Sequence, residues 1–359
     1  MSRLRQRPAP PSLVRVGRRV EEDLIRTLTA ERDRWVSFHP GLAGLFDPLT
    51  SLVMAGGKRL RPAFCHWGFV GAGGDPEDTK VVRTGVALEL LQAFALLHDD
   101  VMDGSARRRG SVTAHLAAER CHRQAGWRGE PRRFGEGAAI LVGDLAHVLA
   151  DARMAAAPSA AQALWAELRI ELNVGQYLDI VATAQASTDR DQARLIARYK
   201  SGKYTIERPL QLGAALIEPT PPASLMASLS AYGDPLGEVF QLRDDLLGTF
   251  GDESITGKPV GDDLREGKPT PLLAAAVERA GPTGPAAEVL ATVGRPDLSR
   301  ADVSAVQHVF LDTGAVAEME STIEGLTDRA VDAIETADVT AEAREALTDL
   351  ALYVAWRDK

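Results

Sequence analysis

The stretch VALELLQAFALLHDDVMD, residues 86–103, decides how this chain reads. From Val86 to Leu97 it is apolar apart from Glu89 and Gln92, and it ends in the acidic cluster Asp99-Asp100-Val101-Met102-Asp103. The apolar part is shorter than the roughly 20 residues a membrane span needs. It therefore reads as a helix buried on nearly all sides within a large bundle. At about 100° per residue, Asp99 and Asp103 fall roughly 40° apart and share a face one turn apart, while Asp100 is rotated by roughly 100° from Asp99. Taken alone, such a triplet also describes a solvated helix end. However, acids next to so apolar a run need partners. Carboxylates at the rim of an oily cavity suit one task well, which is to hold Mg²⁺ against a diphosphate while the cavity takes the attached hydrocarbon.

A second pair, Asp244-Asp245, ends another long apolar stretch, and both acidic clusters have basic neighbours. Gly56-Gly57-Lys58-Arg59-Leu60-Arg61-Pro62 sets three cations in four positions behind a flexible glycine pair. Lys58 and Arg61, three apart, face the same way if a helix begins there. Glycine permits close backbone approach, and arginine offers a planar fork to phosphate oxygens. Arg107-Arg108-Arg109-Gly110 begins four residues after Asp103, so acid and base are neighbours. Two phosphate-bearing groups would use this arrangement, one through metal on carboxylates and the other directly through Lys and Arg.

Composition frames the fold. The chain has 359 residues, 5% aromatics and abundant Ala and Leu, with little alternation of β-branched residues, which favours helix over sheet. A net charge of -9 argues against a nucleic-acid binder. Cys65 and Cys121 form neither a metal spacing nor a disulfide framework, and a reducing cytoplasm is the simplest setting. Residues 1–20 hold six arginines and no acid around a Pro-rich middle, and read as a disordered basic tail rather than a transit peptide. Helical patterns recur over about 21–36, 41–55, 60–70, 78–103, 111–124, 136–155, 160–185, 190–216 and 223–250, with loops at 71–76, 126–137, 219–222, 251–271 and 281–284. No composition break divides residues 21–359. The expectation is an all-α fold, a single large helical bundle around a central apolar cavity.

With these motifs in view, the chain resembles the trans-type isoprenyl diphosphate synthases, or polyprenyl synthetases, from about Gly56 to Lys268. GGKRLRP at 56–62 resembles the family's segment for isopentenyl diphosphate. Leu91-Gln92-Ala93-Phe94 followed by DDVMD resembles its first aspartate-rich helix, and Arg108-Arg109-Gly110 its RRG. Gly143-Asp144, Gly175-Gln176 with Asp179, Lys200-Ser201-Gly202, Phe240-Gln241-Leu242-Arg243-Asp244-Asp245, Phe250-Gly251-Asp252, Thr256-Gly257-Lys258 and Gly261-Asp262-Asp263 follow in the family's order.

The resemblance implies the isoprenoid synthase type of bundle, a homodimer, and a Mg²⁺-dependent prenyltransferase that condenses isopentenyl diphosphate with dimethylallyl, geranyl or farnesyl diphosphate. It implies that Lys58, Arg61, Gln92 and Arg109 hold isopentenyl diphosphate. Asp99, Asp103 and Asp244 would bind three Mg²⁺ on the allylic diphosphate. Arg108, Lys200 and Lys258 would touch that diphosphate, with Ser201 and Gln241 beside it. Asp100 and Asp245 would orient metal-bound water. The proton acceptor implied is the released diphosphate, so His98 and His66 are read as core residues and Lys203 is left outside the site. One departure stands out: where the second motif commonly ends in a third Asp, this chain has Gly248.

On the family's helix, residues four and five before the first Asp form the pocket floor, here Ala95 and Phe94. Phe94 limits growth and small Ala95 leaves room, which implies geranylgeranyl diphosphate as product, with farnesyl diphosphate as the alternative. A class I terpene cyclase would carry a different second metal motif and no need for GGKRLRP. A non-catalytic subunit of a heteromeric synthase would have lost several of these charged positions. The C-terminal residues 353–359, ending Arg-Asp-Lys, are candidates to close over the site, as such tails do in relatives.

Overall fold

The computed structural model describes residues 7–251 and 260–357. In chain order it contains α1 (Pro11–Phe38), a 3₁₀ turn (Pro40–Leu42), α2 (Ala43–Met54), α3 (Leu60–Gly71), α4 (Thr79–Met102), strands β1 (Arg107–Arg108) and β2 (Ser111–Val112), α5 (Ala114–Gln124), α6 (Pro131–Met154) and α7 (Ser159–Ala184). There follow α8 (Arg190–Ile196), a π-helical segment (Ala197–Glu207), α9 (Arg208–Ala214), α10 (Ala223–Phe250) and α11 (Asp262–Glu266). The chain closes with α12 (Pro271–Ala280), α13 (Pro285–Leu290), α14 (Arg300–Asp312), α15 (Ala315–Thr336) and α16 (Ala341–Trp356). The fold is all-α, and among the described residues its sheet is the one short ribbon β1–β2.

Helix α4 is the axis. Every residue from Thr84 to Leu91 is buried, which no single helix face can achieve, so neighbours surround it. Helices α1, α2, α3 and α6 pack against it. Its start is fixed by Asp78, whose carboxylate accepts from the Lys80 amide at 2.8 Å. Its end is fixed by Gly104, which turns the chain at φ +65°. By length and composition α4 could cross a membrane. Its apolar window is 61% buried inside the fold, however, and it terminates on carboxylates, so it is the core helix.

The remaining core gathers aromatic and aliphatic side chains from α2, α3, α10 and α14, with Phe46, Phe64, Trp67, Tyr232 and Phe310 at 2% exposure or less. Buried Tyr232 donates its hydroxyl to the Leu347 carbonyl at 2.7 Å, which joins α10 to α16. Helices α3 and α9 touch backbone to backbone. A Cβ on Gly213 would lie 1.8 Å from the Cys65 carbonyl oxygen, and one on Gly68 would lie 2.0 Å from that of Leu210.

The structure corrects three expectations. Residues 11–20 are no disordered tail: they are the first turns of α1. Leu13, Val16 and Val20, spaced by three and four, bury with Leu24 and Leu28, while the arginines lie outward. Residues 1–6 lie outside the described residues. The expected loop 126–137 already becomes helix at Pro131, because the Glu130 carboxylate accepts from the amides of Arg132 and Arg133 and caps the end. The pattern over 111–124 starts as a strand, since Arg109 (φ +51°) and Gly110 (φ +78°) make a two-residue hairpin turn.

His66 on α3 has a consequence for stability. Burial, with Arg19 and Arg15 nearby, pushes its imidazole down to about 4. An unfolded histidine titrates near ~6.5, so between those values the unfolded chain binds more protons and stability falls as pH falls. We expect this group to remove on the order of 3 kcal/mol between pH 6.5 and 4. Urea unfolding across that range, compared with His66→Gln, checks it: the variant should show a visibly shallower pH dependence.

Candidate active site

The last turn of α4 carries the first carboxylates into a ring of cations. Lys200 Nζ lies 3.2 Å from Asp99 Oδ1 and 2.5 Å from Asp179 Oδ2. Arg108 Nη2 is 3.2 Å from Asp99 Oδ2, and Gln176 donates to Asp99 Oδ1 at 3.2 Å. One turn further, Lys268 Nζ stands 2.6 Å from Asp103 Oδ2 and 3.2 Å from Glu266. Burial alone would raise the Asp99 carboxyl, but Lys200, Lys268 and Arg108 hold it well below the usual carboxylate range. Burial likewise disfavours charge on Lys268, and Asp99, Asp103 and Glu266 reverse this, so the ammonium is raised well above its ordinary value.

Lys200 reaches this position because the helix beyond α8 widens into the π segment. Such segments are rare and add a residue to the turn. Two glycine contacts accommodate it. A Cβ on Gly175 of α7 would lie 2.3 Å from the Lys200 amide nitrogen, and one on Gly237 of α10 would lie 2.8 Å from the Gly202 Cα. The π segment is thus pressed between α7 and α10 by missing side chains. Ser201, half-buried, follows Lys200 on it. Lys203 points elsewhere, 3.2 Å from both Glu171 and Glu207 in an ion-pair network with Arg208, in keeping with its exclusion from the site.

Asp100 is buried and receives the Arg108 guanidinium, Nε at 2.7 Å and Nη2 at 2.5 Å. Its function in this geometry is to hold Arg108 against Asp99. The hairpin β1–β2 delivers that arginine, and its tight turn sends Arg109 the other way, where Nη1 donates to the Leu52 carbonyl at 2.9 Å.

The second cluster sits near the end of α10. Asp244 is paired with Arg357 from beyond α16, and Lys58 Nζ lies 3.9 Å away. Arg357 itself is fully buried, donates to the Phe240 carbonyl at 3.0 Å and covers the Phe240 ring at 4.6 Å. The C-terminal segment therefore does reach the site. Asp245 Oδ1 accepts from Gln241 at 2.7 Å, whereas Oδ2 is buried with no hydrogen-bond partner among the described residues. Burial pushes its carboxyl well up, and the nearby carboxylates of Asp263 and Asp244 add to this. Gly248 faces Asp263: a Cβ there would stand 2.7 Å from Asp263 Oδ2, so that carboxylate fills the space a third Asp of the motif would enter.

Among the described residues, no three carboxylate, imidazole or thiol groups are gathered closely enough to hold a metal alone. Mg²⁺ does not ask for that. It prefers one or two carboxylates, its own waters and phosphate oxygens. The all-oxygen donors of Asp99 and Asp103 on α4 and Asp244 on α10, with Asp245 Oδ2 buried and without a hydrogen-bond partner among the described residues, fit such an ion.

A third group lies where α3 begins. Arg61 donates to Thr205 Oγ1 at 2.8 Å and stacks 4.2 Å from the Tyr204 ring, and the Tyr204 hydroxyl donates to Gln92 at 2.8 Å. Lys58, Arg61, Gln92 and Arg109 are thereby brought to one region, with burial lowering the Arg109 guanidinium somewhat. Arg59 is not part of that surface; it turns inward onto Glu21 and Glu89. Lys258 falls outside the described residues.

Below Asp99, Ala95 shares its helix face, while Phe94 is rotated by about 140° from Asp99 and turns toward α6. Its ring stacks on His147, 4.8 Å between centroids at 23°, and meets His98 at 4.6 Å. His98 is a packing residue, seated over Gly143 with Nε2 3.1 Å from the Ile140 carbonyl. A groove of about 720 Å³ at the junction of α1, α3 and α16 contains none of the carboxylates or cations of this region.

Sequence reasoning gave no role to Lys268, only a landmark to Asp179 and Asp263, and to Arg357 nothing beyond membership of the C-terminal segment that was a candidate to close over the site. Lys268 lies 165 positions from its partner Asp103, and Arg357 lies 113 from Asp244, so local spacing carried no signal of either pair. For Asp263 the signal was the GDD beside a motif lacking its final acid.

The polyprenyl synthetase family model matches residues 43–309. The chain is 31% identical over 319 residues to the geranylfarnesyl diphosphate synthase of Aeropyrum pernix, covering 86% of this chain and 92% of that one. It is 35% identical over 225 residues to a geranylgeranyl diphosphate synthase of Mycobacterium tuberculosis, 61% of this chain and 58% of the other. The structure superposes with a TM-score of 0.90 on the geranylgeranyl pyrophosphate synthase of Corynebacterium glutamicum complexed with isoprenyl diphosphate and magnesium, at 37% identity, covering 96% of this chain and 99% of that one.

Proposed function

Since this chain belongs to the polyprenyl synthetase family and is a trans-prenyltransferase making short-chain isoprenyl diphosphates, we propose that it joins isopentenyl diphosphate to an allylic diphosphate and stops at geranylgeranyl diphosphate. The observation that carries this reading is the ring of Lys200, Lys268 and Arg108 on Asp99 and Asp103 at the end of an apolar core helix.

In this reading the allylic diphosphate lies among Arg108, Lys200 and Lys258, with Ser201 and Gln241 beside it. Asp99, Asp103 and Asp244 would hold three Mg²⁺, with Asp263 supplying the carboxylate missing at Gly248, and Asp245 would orient water on those ions. When bound, these ions neutralise the charge that gathers on the leaving diphosphate. Arg108, Lys200 and Lys268 add positive charge at the same place. Asp100 and Asp179 keep Arg108 and Lys200 aimed. Lys58, Arg61, Gln92 and Arg109 hold isopentenyl diphosphate. As the allylic C–O bond breaks, the double bond of isopentenyl diphosphate attacks C1 and a proton leaves to the released diphosphate. The apolar interior keeps water from the carbocation. The enzyme works in the cytoplasm.

The floor sets the length. A helix turn spans about 5.4 Å, close to one isoprene unit. Small Ala95 leaves room on the face under Asp99, while bulky Phe94, one position earlier, is held on the α6 side of the helix by stacking on His147. That supports a twenty-carbon stop.

The chain is further proposed to work as a homodimer. Leu141 and Val148 on α6, with Ile170, Val174 and Tyr177 on α7, form an exposed apolar face, Val148 being 63% and Tyr177 69% exposed. Apolar residues repeated at such spacing on two helices mark a contact surface.

An assay with Mg²⁺, isopentenyl diphosphate and each of dimethylallyl, geranyl and farnesyl diphosphate should yield geranylgeraniol after dephosphorylation, and none with chelator. A released cyclic hydrocarbon, or no product, would overturn the proposal. In the same assay Phe94→Ala should lengthen the product by about one isoprene unit and Ala95→Phe should shorten it. Lys268→Met should lower turnover by about 10²-fold, the usual effect of removing one electrostatic donor. Sedimentation should find a dimer for the native protein and a monomer for Tyr177→Glu.

A further inference from the structure

Two arginines of this site stand on left-handed backbone, Arg59 at φ +53° and Arg109 at φ +51°. A left-handed arginine is unfavourable by roughly 1 kcal/mol and persists only where its surroundings hold it. Both guanidinia grip the same object, the end of α2. Arg59 Nη2 donates to the Val53 carbonyl and Arg109 Nη1 to the Leu52 carbonyl, each at 2.9 Å. Gly57 lies between them; a Cβ there would be 3.1 Å from Arg109 Nη2 and 3.3 Å from Arg59 Nη1.

The two differ in what neutralises them. Arg59 is 5% exposed and paired with Glu89 of α4, itself 5% exposed, and with Glu21 of α1 at 2.9 Å. Glu89 precedes Gln92 by one turn on α4, so the pair anchors the same helix that carries Gln92. The hydrogen bonds of Arg59 go to Glu21, Glu89 and the Val53 carbonyl, and at 5% exposure little of it faces a phosphate.

We propose that Arg59 is a positioning residue for the isopentenyl diphosphate subsite. Held by Glu89 and Glu21, it locks the left-handed turn that sends Lys58 and Arg61 to the site, and it braces α2, on which Arg109 rests. The N-terminal helix α1 thereby contributes to substrate affinity through Glu21. This rests on the assignment of Lys58, Arg61 and Arg109 to isopentenyl diphosphate.

Steady-state kinetics with both substrates varied, together with thermal unfolding, tests it. Arg59→Met leaves Glu89 buried and unpaired, so it should lower both stability and isopentenyl diphosphate affinity. Arg59→Met combined with Glu89→Leu removes both charges and should recover most of the lost stability. Its KM for isopentenyl diphosphate should nevertheless stay raised at least tenfold, with the allylic KM unchanged. Glu21→Gln, altering a half-exposed partner, should raise the same KM about threefold, and Arg59→Lys should fall between native and Arg59→Met. A double variant with native KM for isopentenyl diphosphate would overturn the proposal, as would equal rises in both KM values. Arg61→Gln separates the premise: if it leaves the KM for isopentenyl diphosphate unchanged, the subsite assignment fails and the positioning role with it.

Discussion

Everything in this protein is arranged around one electrostatic problem, the placing of carboxylates at the inner end of an oily helix. Asp99 and Asp103 follow a run of buried side chains on α4, where an unpaired negative charge is expensive to keep. The chain resolves this with its own cations, Lys200 and Arg108 on Asp99, Lys268 on Asp103, and Arg357 on Asp244. All of these cations except Arg108 come from a distant part of the sequence, so the ion pairs hold the bundle together while they assemble the site. They also define its chemistry. In the proposed reaction Asp99, Asp103 and Asp244 would give up these ion pairs to hold Mg²⁺, and the released Lys and Arg side chains would meet phosphate oxygens.

Backbone proximity makes the placement accurate. Lys200 sits on a π segment wedged against Gly175 and bounded by the Gly202–Gly237 contact, positions where any side chain would push the helices apart. Close-packed interiors transmit such displacements rather than absorb them. The glycine positions are thus tied to electrostatics through distance: a shift of one ångström at Gly175 would loosen Lys200 from both Asp99 and Asp179.

Much of this was legible in the sequence. Helix α4, its two aligned aspartates and the long helices after it follow from composition and period alone, because local rules govern a buried helix. Lys58, Arg61, Gln92, Arg108 and Arg109 were found because they are short-range neighbours of a motif. What was hidden is non-local. The partnership of Lys268 with Asp103, or of Arg357 with Asp244, depends on how remote segments fold back. Residues 11–20 looked like part of a tail because the six arginines of residues 1–20 outweighed Leu13, Val16 and Val20, although long basic side chains can lie outward along a helix whose other face is buried. Arg59 was one of three cations in GGKRLRP and received no role of its own, since nothing in that stretch reveals a left-handed backbone that turns it inward.

The central claim is that exchange of cations at the carboxylates. Calorimetric titration of the metal-free protein with Mg²⁺, with inorganic diphosphate, and with one in the presence of the other tests it directly. If the carboxylates are already paired, each ligand alone binds weakly and each tightens the other by at least tenfold, a coupling of about 1.4 kcal/mol that is equal in both directions. Mg²⁺ binding that is equally tight with and without diphosphate would contradict it.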